Sequence, residues 1–239
     1  MGASYNFRFD SVYIENLKMI AQDLLSKVIP PLRLTDNGQK ALDWMEIFRI
    51  SHLPVVYGKR LIGVISEEII YDLNIINKPV GVYSDHLLSP FITSNQHLFE
   101  VISTISNLKL SAIPVLNAEH EYAGVITLAD LSQSFADLIA IHDPGGILVL
   151  EINAIDYSLS QIAQIVEGND AKILSFYVSQ NFDSKFINIT LKVNVVDLSA
   201  IIQTFVRYEY NIKAVYQDKS IIRDLYDDRF DQFMRYLNM

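Results

Sequence analysis

Cysteine is absent from the 239 residues. That excludes disulfides, thiolate catalysis and Cys-bound zinc, and it fits a reducing cytoplasm, where the protein is expected. Basic residues are outnumbered, 19 Lys and Arg against 28 Asp and Glu, for a formal net charge of -9. So acidic a chain is poorly suited to nucleic acid or an anionic membrane as its main partner. A single anionic ligand remains compatible, because a local pocket can oppose the global field. No apolar run approaches the ~20 residues needed to span a bilayer. The start, Met1 to Asp10, has no basic segment followed by an apolar core, so no secretory signal is expected. Catalytic signatures are missing too: no Gly-x-Ser-x-Gly, Walker loop or His-Glu-x-x-His occurs, and no enzyme is expected. His86, His97, His120 and His142 are dispersed without a His-x-x-x-His pair. No acidic cluster has a dedicated metal spacing, so no protein-held metal site is expected.

Half the residues are apolar, ample for a sizeable core. The organising feature is a duplication. Aligned on Pro54 and Pro114, Phe48-Arg49-Ile50-Ser51-His52-Leu53-Pro54-Val55-Val56 lies over Leu108-Lys109-Leu110-Ser111-Ala112-Ile113-Pro114-Val115-Leu116. Every pair but His52 and Ala112 is identical or similar in character. One extra residue in the second hairpin then brings Gly63-Val64-Ile65-Ser66 over Gly124-Val125-Ile126-Thr127. A period near sixty is too long for a solenoid and suits two copies of a small domain. One such copy buries too little surface to be stable alone. The two should pack together and leave a crevice at their junction.

The periodicity predicts a helix over Met19 to Leu25, an extended entry Leu32 to Leu34 after Pro30-Pro31, and a turn at Asp36-Asn37-Gly38. A helix from Ala41 to Arg49, a hairpin Leu53 to Ile65 and a helix from Glu67 to about Asn74 follow. Lys78 to Pro90 reads as a connection. The second copy repeats the order with extended Phe91 to Thr93, helix Leu98 to Asn107, hairpin Ile113 to Ile126 and helix Leu128 to Ile141. His142-Asp143-Pro144-Gly145-Gly146 is the clearest boundary. Beyond it the pattern is strand 147–153, helix 159–168, strands 172–180 and 186–193 around a polar turn, helix 198–208 and strand 212–216. That order, βαββαβ, describes a ferredoxin-like sandwich. Residues 1–18 read as a tail or an arm onto a neighbour. Residues 218–239 read as an amphipathic C-terminal helix from the spacing of Leu225, Tyr226, Phe230, Phe233, Met234 and Leu237.

The paired motif resembles the tandem CBS pair, or Bateman module, whose signature is a hydrophobic-Pro-Val strand followed by Gly-hydrophobic-hydrophobic-Ser/Thr-x-x-Asp at the last helix. The second copy matches throughout in Gly124-Val125-Ile126-Thr127-Leu128-Ala129-Asp130; the first has Ser66 but Ile69 where the acid belongs. The βαββαβ remainder is similar to an ACT domain, in a CBS–CBS–ACT order like that of acetoin-utilisation-type proteins. The expected fold class is therefore α+β: a tandem CBS pair, two β-α-β-β-α repeats over 19–80 and 81–143, then an ACT-like domain over 144–217.

The resemblance implies a nucleotide site. Asp130 stands where the family's acid accepts hydrogen bonds from both ribose hydroxyls, a task that suits a carboxylate's two oxygens. Thr127 stands where its hydroxyl, beside the helix N-terminus, can face phosphate. Thr-x-x-Asp at a helix start is equally a capping box, and the two roles are compatible. By the same resemblance Ser51, His52 and Leu53 form the opposite wall, with His52 facing phosphate or adenine, and Leu34, Leu53 and Ile126 flank the adenine. The mirror crevice would use Ser66, Ser111 and Ala112, but Ile69 cannot hold a ribose, so one competent site per pair is expected. Glu67 and Glu68 are better explained as acids in a helix's first turn, the alternative being that they repel phosphate from this crevice. Arg49 and Lys109, which end the helices before each strand, read as solvated charges.

The implied ligand is an adenosyl-containing small molecule: ATP, ADP or AMP, with a cyclic dinucleotide and S-adenosylmethionine also fitting, and magnesium able to accompany a polyphosphate. No cofactor is required. In ACT domains the first strand-to-helix turn commonly carries Asp-x-x-Gly. Here Asp156-Tyr157-Ser158-Leu159 puts a side chain where the glycine falls, which obstructs an amino-acid ligand and leaves Asp156 or Ser158 to cap the helix. The expected function is a regulatory protein sensing an adenine nucleotide in the CBS crevice and passing the change to a homodimer or a partner protein. The alternative is a dimeric adaptor with a vestigial nucleotide site, favoured by Ile69 and Leu159.

Overall fold

A computed structural model describes residues 19–180 and 185–217. The expected arm 1–18, the turn at Asn181 to Ser184 and the C-terminal helix 218–239 lie outside the described residues. The contact pattern divides the chain into two compact units between Leu138 and Ile139.

The first unit contains two copies of one small layered motif. In the first copy a two-residue strand β1 (Leu32–Arg33) leads through α1 (Gly38–Phe48) to the hairpin β2 (His52–Tyr57) and β3 (Arg60–Ser66), then α2 (Glu67–Asp72). The second copy repeats this as β4 (Ile92–Thr93), α3 (Leu98–Leu108), β5 (Ala112–Leu116), β6 (Tyr122–Thr127) and α4 (Leu128–Leu138). Each sheet has three strands, β1-β2-β3 and β4-β5-β6, with the short strand parallel to its neighbour and the hairpin antiparallel.

Local chemistry sets the boundaries. Asn37 caps α1 by accepting from the Lys40 N–H, and Ser66 caps α2 by accepting from the Ile69 N–H. Arg49 and Lys109 end α1 and α3 in the left-handed conformation, with φ of 54° and 52°. These two residues, expected only as solvated charges, also form the helix C-caps. Gly38 opens α1 where a Cβ would stand 2.6 Å from the Ile75 carbonyl oxygen. That close approach lets Ile75 be fully buried in the first copy's core, beside Leu53, Val55, Ile65 and Ile70.

The copies exchange their leading segments. Ala21 and Gln22 donate their N–H groups to Gln96 O and Ser94 O, at 2.8 and 3.0 Å, on the second copy. Val80 and Gly81 donate to Asp36 O and Leu34 O, at 2.8 and 2.9 Å, on the first. Accordingly Ala21 and Leu24 are buried among Ile92, Leu98, Val101 and Leu131 of the second copy. The segment expected as a helix over Met19 to Leu25 is a short 3-10 turn, Ala21–Leu24, because its backbone groups are taken by this cross-copy pairing. The connection after Lys78 likewise contains 3-10 turns across Val80–His86, kinked at Tyr83.

The second unit is the expected βαββαβ sandwich: β7 (Gly146–Asn153), α5 (Leu159–Glu167), β8 (Ile173–Gln180), β9 (Phe186–Val193), α6 (Ser199–Arg207) and β10 (Asn211–Tyr216). Its antiparallel sheet runs β10-β7-β9-β8, the ferredoxin-like order. Burial alternates strictly along β7, and the inward residues Leu148, Leu150 and Ile152 meet Ile162, Ile165, Ile201 and Phe205 of the two helices.

The helix expected to reach Ile141 stops at Leu138. Ala140 is left-handed, and the carbonyls of Ala140 and Ile141 accept hydrogen bonds from the Lys192 ammonium, only 8% exposed on β9. Gly145 then passes so close to β9 that a Cβ would lie 1.9 Å from Val193 O. The Pro-Gly-Gly stretch is thus bound to the second unit's sheet.

Candidate functional site

The strand register puts the motif residues of each copy together. His52 pairs across from Ser66 in the first hairpin, and Ala112 across from Thr127 in the second. The last helix of each copy is tied to the residue before its hairpin. The Glu67 N–H donates to Ser51 O at 3.1 Å, and the Leu128 N–H donates to Ser111 O at 3.0 Å.

In the second copy Thr127 and Asp130 form a reciprocal box at the start of α4. The Thr127 hydroxyl donates to Asp130 Oδ2 at 2.6 Å, the Thr127 N–H donates to the same oxygen at 3.1 Å, and the Asp130 N–H donates back to Thr127 Oγ1 at 3.1 Å. Asp130 Oδ1 has no hydrogen-bond partner among the described residues. In the first copy only the Ile69 N–H to Ser66 Oγ bond remains, at 3.2 Å, and Ile69 brings no carboxylate.

Between the copies lies a polar knot. The Ser51 N–H donates to Ser111 Oγ at 2.8 Å, and the Ser111 N–H donates to His52 Nδ1 at 3.2 Å. Nδ1 also lies 3.0 Å from Ser111 Oγ and 3.1 Å from Ser51 Oγ. Because Nδ1 accepts a backbone N–H, the neutral ring carries its proton on Nε2. Burial pushes the His52 imidazole below its ordinary range, and the Glu68 carboxylate opposes this without reversing it. A cavity of about 370 Å³ opens beside the knot, lined by Ser51, His52, Ser66, Glu67, Glu68 and Tyr71.

Of the sequence-derived candidates, Ser51, His52 and Ser111 are in direct contact, Ser66 shares a cavity with Ser51 and His52, and Thr127 and Asp130 bond each other. The side-chain hydrogen bonds of Asp130 run to Thr127 and not to His52. Leu53 and Ile126 are fully buried in the cores of the first and second copies, so what they offer a crevice is backbone. Ala112 is buried as well, and Leu34 is half-buried against the first copy's core, its carbonyl engaged by Gly81. Ser111, expected in the weaker crevice, also binds His52 across the copies. The one signal for it was the alignment, which superposes Ser51 on Ser111 and makes His52 the single unmatched residue.

A second asymmetry separates the helical faces of the copies. A groove of about 660 Å³ on the first is polar, with Asp43, Glu46, Arg49, Glu67 and Tyr71. The repeat-equivalent groove on the second, about 510 Å³, is apolar, with Ile102, Leu128, Leu131 and Phe135 around Lys109. In the second unit, Ser158 Oγ caps α5 by accepting from the Gln161 N–H at 3.4 Å, while Leu159 begins the helix half-exposed. Among the described residues no three His, Asp or Glu side chains are grouped to hold a metal ion, and no helix is long and apolar enough to cross a membrane.

Residues 23–73 and 74–137 each match the CBS domain family. Among solved structures, a CBS domain pair/ACT domain protein from Thermotoga maritima is 15% identical, covering 50% of this chain and 98% of its own, with a TM-score of 0.43. A putative acetoin utilization protein from Vibrio cholerae is 20% identical over 52% of this chain and 94% of its own, with a TM-score of 0.43. CBSX2 in complex with AMP is 18% identical over 49% and 96%, also at 0.43.

Proposed function

We propose, from the tandem CBS domains over residues 23–137, that this protein is a regulatory ligand-binding protein whose CBS crevice takes an adenine nucleotide. The observation that carries the reading is the Thr127–Asp130 pair. Oδ2 holds the helix start while Oδ1 keeps its acceptor capacity, so one carboxylate caps α4 and still receives a ribose hydroxyl. Ser51, His52 and Ser111 stand at the junction; His52 opens on the side of Ser66, Glu67 and Glu68 and supports the Asp130 crevice through its contact with Ser111. Backbone of β2 and β6, at Leu53 and Ile126, and the half-buried Leu34 flank the base. The crevice at Ser66 lacks the acid and carries Glu67 and Glu68, which disfavour a phosphate, so one site per pair is occupied. Magnesium accompanies a polyphosphate ligand without a protein cage of its own. Binding shifts the arrangement of the copies, and the ACT-like second unit serves to dimerise and to pass the change to a partner protein. Such coupling requires the ligand to bind one arrangement better than another.

The test is thermal unfolding of the wild type and Asp130→Ala with AMP, ADP, ATP, cyclic dinucleotides and S-adenosylmethionine. A ligand at a hundred times its dissociation constant adds about 2.7 kcal/mol. For a chain of this size that raises Tm by roughly 5–10 °C. The wild type is expected to gain this shift with one of the adenosyl ligands, and the variant to lose it. No shift with any of them at millimolar concentration would overturn the sensor and leave a dimeric adaptor with a vestigial site.

A further inference from the structure

The two copies stop matching at position 52, where the second copy has Ala112, and that unmatched side chain crosses to the other copy. We infer that His52 is an acid-sensitive latch between the CBS copies: the neutral ring holds Ser111, and proton uptake at Nδ1 releases it.

The reason is one of donors and acceptors. Nδ1 accepts the Ser111 N–H at 3.2 Å and sits within 3.1 Å of two hydroxyls whose hydrogens can turn toward it. An imidazolium has a hydrogen on each nitrogen and no acceptor. A protonated Nδ1 can donate to Ser51 Oγ or Ser111 Oγ but can no longer accept the Ser111 N–H, so that backbone donor loses its partner and the ring shifts off it. The Ser51 N–H to Ser111 Oγ bond shares the same serine and is loosened with it.

The groups around the ring set the direction. From β3 comes the uncharged Ser66, and from α2 the exposed Glu67 and Glu68 together with Tyr71. Arg49 lines the neighbouring groove with Ser51, Glu67 and Ser111. Burial keeps the ring neutral against the pull of Glu68, which favours the proton. The folded chain therefore binds this proton less readily than the unfolded one. The latch's contribution to stability is present above the ordinary histidine range and is lost as pH falls through that range and below it. The latch is single, since Ala112 cannot return the contact, and it does not rest on the nucleotide reading.

Two measurements test it on the full chain without ligand. In His52→Asn the amide oxygen falls near the place of Nδ1 and accepts the Ser111 N–H without titrating. Between about pH 7.5 and about pH 5 the wild type is expected to lose about 2–4 °C of Tm more than this variant. Imidazole nitrogen NMR of the wild type should show Nδ1 unprotonated at the upper pH and protonated at the lower. Equal pH slopes for the two proteins would overturn the latch. So would a proton on Nδ1 at neutral pH, a result that is informative even where the variant does not fold.

Discussion

Ser51 and Ser111 occupy the same position in successive copies, yet the bond between them is one-sided: the Ser51 backbone N–H donates to the Ser111 side-chain oxygen at 2.8 Å. A perfect repeat would pair them reciprocally. His52 breaks the symmetry by taking the Ser111 N–H for its own ring. At this point the copies meet through unlike bonds, with Ser51 Oγ adding a weaker donation to Ser111 Oγ at 3.3 Å, and the two serines are not interchangeable.

Replacing Ser111 by alanine leaves the half-buried Ser51 N–H without its acceptor and strips a hydroxyl from His52. The expected loss is about 1–3 kcal/mol. Ser51→Ala keeps the backbone donor and should cost less than half as much. Urea unfolding of the two variants checks the order, and equal losses would show that the interface is held otherwise.

Ile69 is the residue that separates the first crevice from the second. Its N–H already donates to Ser66 Oγ at 3.2 Å, as the Asp130 N–H does to Thr127 Oγ1. Ile69→Asp should complete the same box and install the missing carboxylate. Calorimetric titration with whichever adenosyl ligand shifts the wild type should then rise from one site per chain toward two. A folded variant that still binds one equivalent would mean that Glu67 and Glu68, not Ile69, close this crevice.

Lys192 holds the carbonyls of Ala140 and Ile141 from within β9, 8% exposed. Lys192→Ala removes charge-assisted hydrogen bonds worth about 1.5–3 kcal/mol and leaves two acceptors to water. Amide exchange should accelerate at residues 139–146 and, if the anchor is local, leave β5 and β6 unchanged. Uniform acceleration across both units would count against a local anchor.

Much of this fold was legible in the residues because the relevant physics is short-range. Alternating burial along Gly146–Asn153, the Ser158 cap and the tight hairpins each depend on a few neighbouring side chains. The Thr127–Asp130 box was readable for the same reason, since its two members are three residues apart. A sixty-residue repeat carried the rest, because equal patterns fold into equal units.

Other features depended on partners distant in sequence. That Ala21–Leu24 serves the second copy while Val80–His86 serves the first is decided by which copy's turn, after β4 or after β1, offers its carbonyls, and periodicity holds no record of that. The carbonyl of Ala140, just past the end of α4, is taken by a lysine 52 residues further along the chain. By itself the sequence determined two like copies, a ferredoxin-like sandwich and the copy that keeps its acid. Only the tertiary structure decided that Leu53 and Ile126 are core, and that His52 spans the copies to Ser111. Burial and hydrogen-bond completion are settled by everything that packs around a residue, whereas capping and pleating are settled by what lies next to it in the chain.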